Sequence, residues 1–184
     1  MPEIEVDEEE EQRWIEELAD QYEGEARTGM HVSDLTLCLR QSPLNQLYQP
    51  KWDLTTLFRF RMGNALEKAF FKLLLPVATE EMEVICDGIE GHIDFGHDPY
   101  DYECKLTWGS PPKNPESLLD SKHWWFSQMA AYAFIRERVK MRLTVLFLVP
   151  IPRLKSYMVK WEEDELEDLW EMFIERKVYK EKKA

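Results

Sequence analysis

Cysteine is scarce in this 184-residue chain, and its placement excludes most of what cysteine does for a fold. Cys38, Cys86 and Cys104 make an odd number, no two form a C-x-x-C pair, and none follows residue 104. A secreted disulfide framework is excluded as the organising device. Long apolar runs are missing too. No stretch approaches the roughly 20 residues that span a bilayer, and the opening Met-Pro-Glu-Ile-Glu is the reverse of a basic signal peptide. These absences predict a soluble, cytoplasmic protein with no membrane partner. Positive charge is also in deficit, with 23 Lys and Arg against 36 Asp and Glu and a formal net charge of −13. So acidic a chain argues at first against a nucleic-acid partner.

The deficit is uneven. Residues 1–25 hold 12 acidic side chains and a single base, Arg13, and residues 161–184 hold nine acids and five bases. Residues 26–160 therefore carry a net +2, which is compatible with DNA. The acidic ends suit a basic protein partner instead. At 44% hydrophobic and 12% aromatic, the chain has the material for a real core.

Residues 1–12 read as a charged tail, and Trp14, Ile15, Leu18 and Tyr22 recur near helical spacing over 13–23. Ser33 or Asp34 can cap a helix carrying Leu35, Leu37 and Leu39. Asp53 opens the strongest helical pattern, 54–75, which Pro76 stops. Strands are expected at 81–87, 90–95 and 100–107, with Asp87-Gly88 and His97-Asp98-Pro99 as the turns between them. A proline-rich loop, 108–116, leads to a helix over 115–139. Strands at 142–150 and 156–161 and an acidic helix over 162–182 complete the chain. The order describes a mixed α/β protein in three parts: an acidic tail and short helix over 1–28, a core over 29–161, and a C-terminal helix over 162–184.

The second hairpin carries the chemistry. With its turn centred on Asp98-Pro99, Asp94 faces Glu103, and opposed residues have Cβ atoms about 4.5–5.5 Å apart. Lys105 shares a face with Glu103. Two carboxylates so close repel unless a cation lies between them. A hard ion such as Mg²⁺ takes one or two carboxylates plus substrate phosphate, so the trio suits metal-dependent phosphodiester hydrolysis. Taken alone, D-x8-E-x-K is equally a charged, exposed turn. Two i, i+4 pairs accompany it on the long helices: Gly63 with Glu67, and Gln128 with Tyr132. His92, His97 and His123 match no closed zinc site.

Gly63-x3-Glu67, Gly91-x-Ile93-Asp94, Glu103-x-Lys105 and Gln128-x3-Tyr132, in that order on helix, strand, strand and helix, strongly resemble the PD-(D/E)XK nuclease superfamily, in its RecB-like branch. The resemblance covers roughly 31–161 and implies a single restriction-endonuclease-like α/β domain, a mixed sheet flanked by helices. The segment from His31 to Arg40 also looks like the opening of the CRISPR-associated RecB-like exonucleases. In that family a cysteine here joins three near the C-terminus on an iron–sulphur cluster. This chain lacks those three, so no such cluster is expected on Cys38.

The resemblance implies that Asp94, Glu103 and the backbone carbonyl of Cys104 hold Mg²⁺ or Mn²⁺, joined by Glu67, where many relatives have histidine. Lys105 would orient or deprotonate the attacking water, and Gln128 and Tyr132 would position Lys105, the nucleophile or the DNA backbone. His31, Arg40, Arg59 and Arg61 are candidate phosphate contacts. Trp108, Trp124 and Trp125 are candidate stacking platforms, although Trp124 and Trp125 face different sides of their helix. The implied activity is a deoxyribonuclease on single strands or DNA ends, in repair, recombination, CRISPR adaptation or viral genome processing. A structure-selective endonuclease of the resolvase type and a nuclease-fold adaptor acting through its acidic termini are the alternatives.

Overall fold

The computed structural model describes residues 9, 12, 13, 16, 17, 30–36, 56, 58, 59, 61–63, 65, 79–97 and 99–182, the side chains of 79–81 and 97 apart. The chain packs as two units, 1–27 with 50–74 and 28–49 with 75–184. The described residues of the first unit are all helical. The second holds strands β1 (Met30–His31), β2 (Thr79–Cys86), β3 (Ile89–His97), β4 (Tyr100–Thr107), β5 (Lys140–Phe147) and β6 (Arg153–Lys160). Its helices are α1 (Val32–Thr36), α2 (Ser117–Ser121), α3 (His123–Ile135) and α4 (Glu163–Glu181). Residues 50–74 group with the N-terminal segment, and α4 packs on α3 within the second unit.

All six strands form one mixed sheet in the order β1-β3-β4-β5-β6, with β2 pairing β3. β2 follows β3 along its length, from Cys86 opposite Ile89 to Thr79 opposite Gly96. A strand has only two edges, so β1 and β4 share the other edge of β3. β4 takes Phe95–His97 in antiparallel pairing, and β1 takes Ile89 and Glu90 in parallel. In the described residues, 91–94 pair with neither strand on that edge. The sheet therefore forks along β3, and the G-x-I-D segment lies in the fork.

The core follows from the patterning. β5 is central and buried from Leu143 to Phe147, where every residue but Thr144 is apolar. α3 is apolar all round because it lies between the sheet and α4. Its Trp125, Met129 and Ala133 are buried with Leu143 and Val145 of β5 and with Leu166, Trp170 and Phe173 of α4. The single helix expected over 115–139 is two: Lys122, at φ −136° and ψ 33°, separates α2 from α3. α3 then ends at Ile135, where Glu137 adopts φ 54° and the Arg138 amide bonds the Ala133 carbonyl. Glycine usually signals that left-handed turn, and none stands here. At α1, Asp34 lies inside the helix, and its carboxylate accepts the His31 N–H at 3.3 Å, the reciprocal half of a capping box.

α4 opens on a full capping box between Glu162 and Glu165, and Glu163 and Asp164 complement its positive end. Its basic residues turn inward. Arg176 and Lys180 donate to the carbonyls of Leu35 and Asp34, and Lys177 to that of Asp87. Asp87 and Gly88 form the β2–β3 turn at φ 51° and 69°. The Asp87 carboxylate accepts the buried Trp170 indole N–H at 2.9 Å. Asp87→Ala is expected to destabilise the fold by about 2–3 kcal/mol, through the stranded indole and the left-handed backbone. Asp87→Asn retains both features and should cost about 1 kcal/mol or less, as urea denaturation of the pair will show.

Candidate active site

The hairpin register is the one the turn predicts, with Phe95, Gly96 and His97 opposite Tyr102, Asp101 and Tyr100. The ladder stops one pair short of Asp94 and Glu103, which corrects the expectation that these two pair directly. Asp94 turns its carboxylate across the gap, and Oδ2 accepts the Cys104 backbone N–H at 2.7 Å. The amide exposed where the strands part is thus satisfied by the first side chain inside the fork.

Glu103 and Lys105 share the helix-covered face of β4. Glu103 is 1% exposed, and its Oε1 accepts a hydrogen bond from the Lys105 ammonium. A buried carboxylate requires such a partner. Above them on α3, Gln128 Nε2 donates to the Tyr132 hydroxyl at 2.8 Å. Burial works against a charged Lys105, but the Glu103 and Asp94 carboxylates outweigh it and hold the ammonium above the ordinary lysine range. Burial pushes the Tyr132 phenol up, and the charge of Glu103, then that of Asp94, adds to it. Lysine and phenol both respond to the same two carboxylates, so the four groups surround one region.

Gly91 explains how a helix side chain reaches that region. A Cβ built there would lie 2.5 Å from Tyr132 Cε1 and 3.3 Å from Val32 Cγ2. The tyrosine ring therefore lies against bare β3 backbone within the fork. Asp101 adds a second tie that the sequence pattern did not mark. It is 4% exposed and bonded by Arg136 Nε at 3.2 Å, which joins the end of α3 to β4.

Asp94, Glu103, Cys104, Lys105, Gln128 and Tyr132 are thus brought together. His31 lies apart from this group, on β1 beside β3. It is buried, its Nε2 lies 3.6 Å from Glu90 Oε2, and its ring stacks on His92 with centroids 6.0 Å apart. Arg59 (exposed) and Arg61 (half-buried) belong to the first unit. Glu67, Arg40 and Cys38 lie outside the described residues. Trp108 is 53% exposed just past β4, while Trp125 is core and Trp124 half-buried. Among the described residues no three His, Cys, Asp or Glu side chains gather as a metal site. The oxygen donors at hand for a cation are the carboxylates of Asp94 and Glu103 and the Cys104 carbonyl. That small, hard set fits an ion that keeps several of its waters.

No family model matches the chain, and no curated protein does. Solved structures match in fold. The crystal structure of SSO0001 aligns at TM-score 0.61 and 16% identity, over 89% of this chain and 85% of that one. A phage-related exonuclease from Haemophilus somnus 129PT aligns at 0.61 and 14%, over 89% and 97%. An alkaline exonuclease from Laribacter hongkongensis aligns at 0.56 and 12%, over 91% and 93%. The chain therefore shares the mixed α/β fold of these structures, a six-stranded mixed sheet flanked by helices.

Two outcomes follow. Lys105→Met leaves Glu103 buried without its cation and is expected to cost about 3–5 kcal/mol in urea denaturation. Adding Glu103→Gln should restore most of that loss. Because the folded pKa of Lys105 is raised, the stability this pair confers is fully present below the ordinary lysine value of 10.5 and is lost only as pH climbs through the higher folded value. The difference between wild type and Lys105→Met should therefore be flat from pH 7 to 10. Gly91→Ala, which drives a methyl into the Tyr132 ring, should lower stability by about 1–3 kcal/mol, measured in the same way.

Proposed function

We propose that this chain is a metal-dependent deoxyribonuclease of the RecB-like PD-(D/E)XK type, acting on single strands or DNA ends. The carrying observation is the fork, where Asp94, Glu103 and Lys105 converge under Tyr132 and Gln128. The exonucleases of like fold support the reading, and one of them, the Laribacter enzyme, has been solved with dAMP.

Mg²⁺ or Mn²⁺ would be held by Asp94, Glu103 and the Cys104 carbonyl, with Glu67 as a further candidate ligand. When bound, such an ion supplies Lewis acidity at the phosphorus and lowers the pKa of coordinated water. The remaining work falls to the chain. The Cys104 amide orients Asp94 and the Lys105 ammonium orients Glu103, so both carboxylates are set in advance. Lys105, kept protonated, hydrogen-bonds a non-bridging oxygen as charge accumulates there. Tyr132 closes the site against bulk water, and Gln128 holds its hydroxyl. The setting is one in which DNA ends are processed: repair, recombination, CRISPR adaptation or viral genome processing.

The test is a cleavage time course on end-labelled single- and double-stranded DNA, linear and circular, with Mg²⁺, Mn²⁺ or EDTA. Metal-dependent loss of linear DNA that spares circles is expected. Glu103→Gln and Asp94→Asn should each lower the rate by on the order of a hundredfold or more, with circular dichroism unchanged. Equal cleavage in EDTA, or full activity in both variants, would remove the assignment.

A further inference from the structure

The sheet beyond the site carries groups that this chemistry leaves unused. Register places Lys105, Val145 and Lys155 in one row across β4, β5 and β6, and Thr107, Phe147 and Arg153 in the next. Paired residues point to one face, so Lys155 and Arg153 share the face of Lys105 and Glu103. They stand two strands away, about 10 Å, and both are exposed on the edge strand. From Arg138 to Trp161 the chain has six basic residues and no acidic one, in a protein of net charge −13.

β4 and β5 run parallel, so the loops that follow them emerge at the same end of the sheet. Two bonds tie them side by side: Ser110 Oγ to the Val149 carbonyl and the Leu148 amide to the Thr107 carbonyl, each at 2.9 Å. Large apolar side chains stand out from this paired rim. Trp108 is 53% exposed on one loop, and Val149 and Ile151 are 43% and 63% exposed on the other. An aromatic surface beside exposed cations is what binds single-stranded nucleic acid, the ring stacking on a base while the cations follow the backbone.

We infer that this rim and the exposed face of β6 bind single-stranded DNA next to the fork, Trp108 stacking on a base and Arg153 and Lys155 taking phosphates. Val149 and Ile151 flank the stacked base. The inference rests on the nuclease reading for its ligand, and it adds that the strand follows the rim from Trp108 to the β6 edge, because Val145 and Phe147, between Lys105 and that edge, are buried in the core. Internal base pairs of a duplex are stacked on both faces, so the rim favours frayed or single-stranded DNA, whose bases are free to stack on Trp108.

Fluorescence anisotropy of a labelled oligothymidylate, titrated with the full chain in EDTA, separates binding from cleavage. Trp108→Ala should weaken binding at least about fivefold without changing its salt dependence. R153A/K155A should flatten the slope of log K against log salt by about 1.4, at about 0.7 per lost phosphate contact. An unchanged slope in the double variant, full-strength binding by Trp108→Ala, or preference for blunt duplex overturns the inference. If both shifts appear in a protein that cleaves no DNA with either metal, the binding face stands and the nuclease reading falls.

Discussion

The parting of β3 from β4 at Asp94 is the constraint on which the rest of the second unit depends. Had the ladder continued, the Cys104 amide would have been satisfied by backbone, and Asp94 would have been one more residue of a flat hairpin. Instead a side chain replaces a strand, and the 2.7 Å bond from Cys104 to Asp94 fixes a carboxylate inside the sheet. The gap also lets β1 take the far end of the same edge of β3, and β1 leads directly into α1. One break in a ladder thus sets both the position of the acidic groups and the path of the chain beside them.

A buried carboxylate and a half-buried ammonium are stable in that gap because each satisfies the other. Glu103 is covered by α3, which is itself held by Trp170 and Phe173 of α4 and by Arg136 on Asp101. α4 is in turn tied to the β2–β3 turn through Asp87 and to α1 through Arg176 and Lys180. The acidic C-terminal helix, set apart by its composition, is therefore a structural partner of the site. Its first-turn acids complement the helix dipole, and its bases hold the carbonyls beneath it.

Charge is sorted along this chain. Acid concentrates at the two ends, while the β5–β6 hairpin and its approaches carry only bases. Of these, Arg153 and Lys155 lie on the face that holds Lys105, and Lys140, Arg142 and Lys160 on the other. A net charge averaged over the chain conceals this, because a polyanion responds to the local field within about a Debye length.

Much of this was legible in the order of residues. Period-two patterning and two turn signals located β2, β3 and β4 to within two residues at each end, and the turn at 98–99 predicted the hairpin register. That Glu103 and Lys105 share a face followed from strand alternation alone. Other features were not legible, because their partners are distant in the chain. The end of α3 at Glu137 lacks the glycine that announces such turns, and the break at Lys122 has no proline. Gly91 is a motif residue by pattern, but only the approach of the Tyr132 ring, 41 positions later, shows what its missing side chain admits. The neighbours of His31, Glu90 and His92, are brought to it by a strand pairing that its own sequence context does not show. Sequence alone determined which residues could share a strand face, because alternation is local and steric. Tertiary structure decided where the ladder breaks and what enters the gap, because those depend on packing between segments that the sequence keeps far apart.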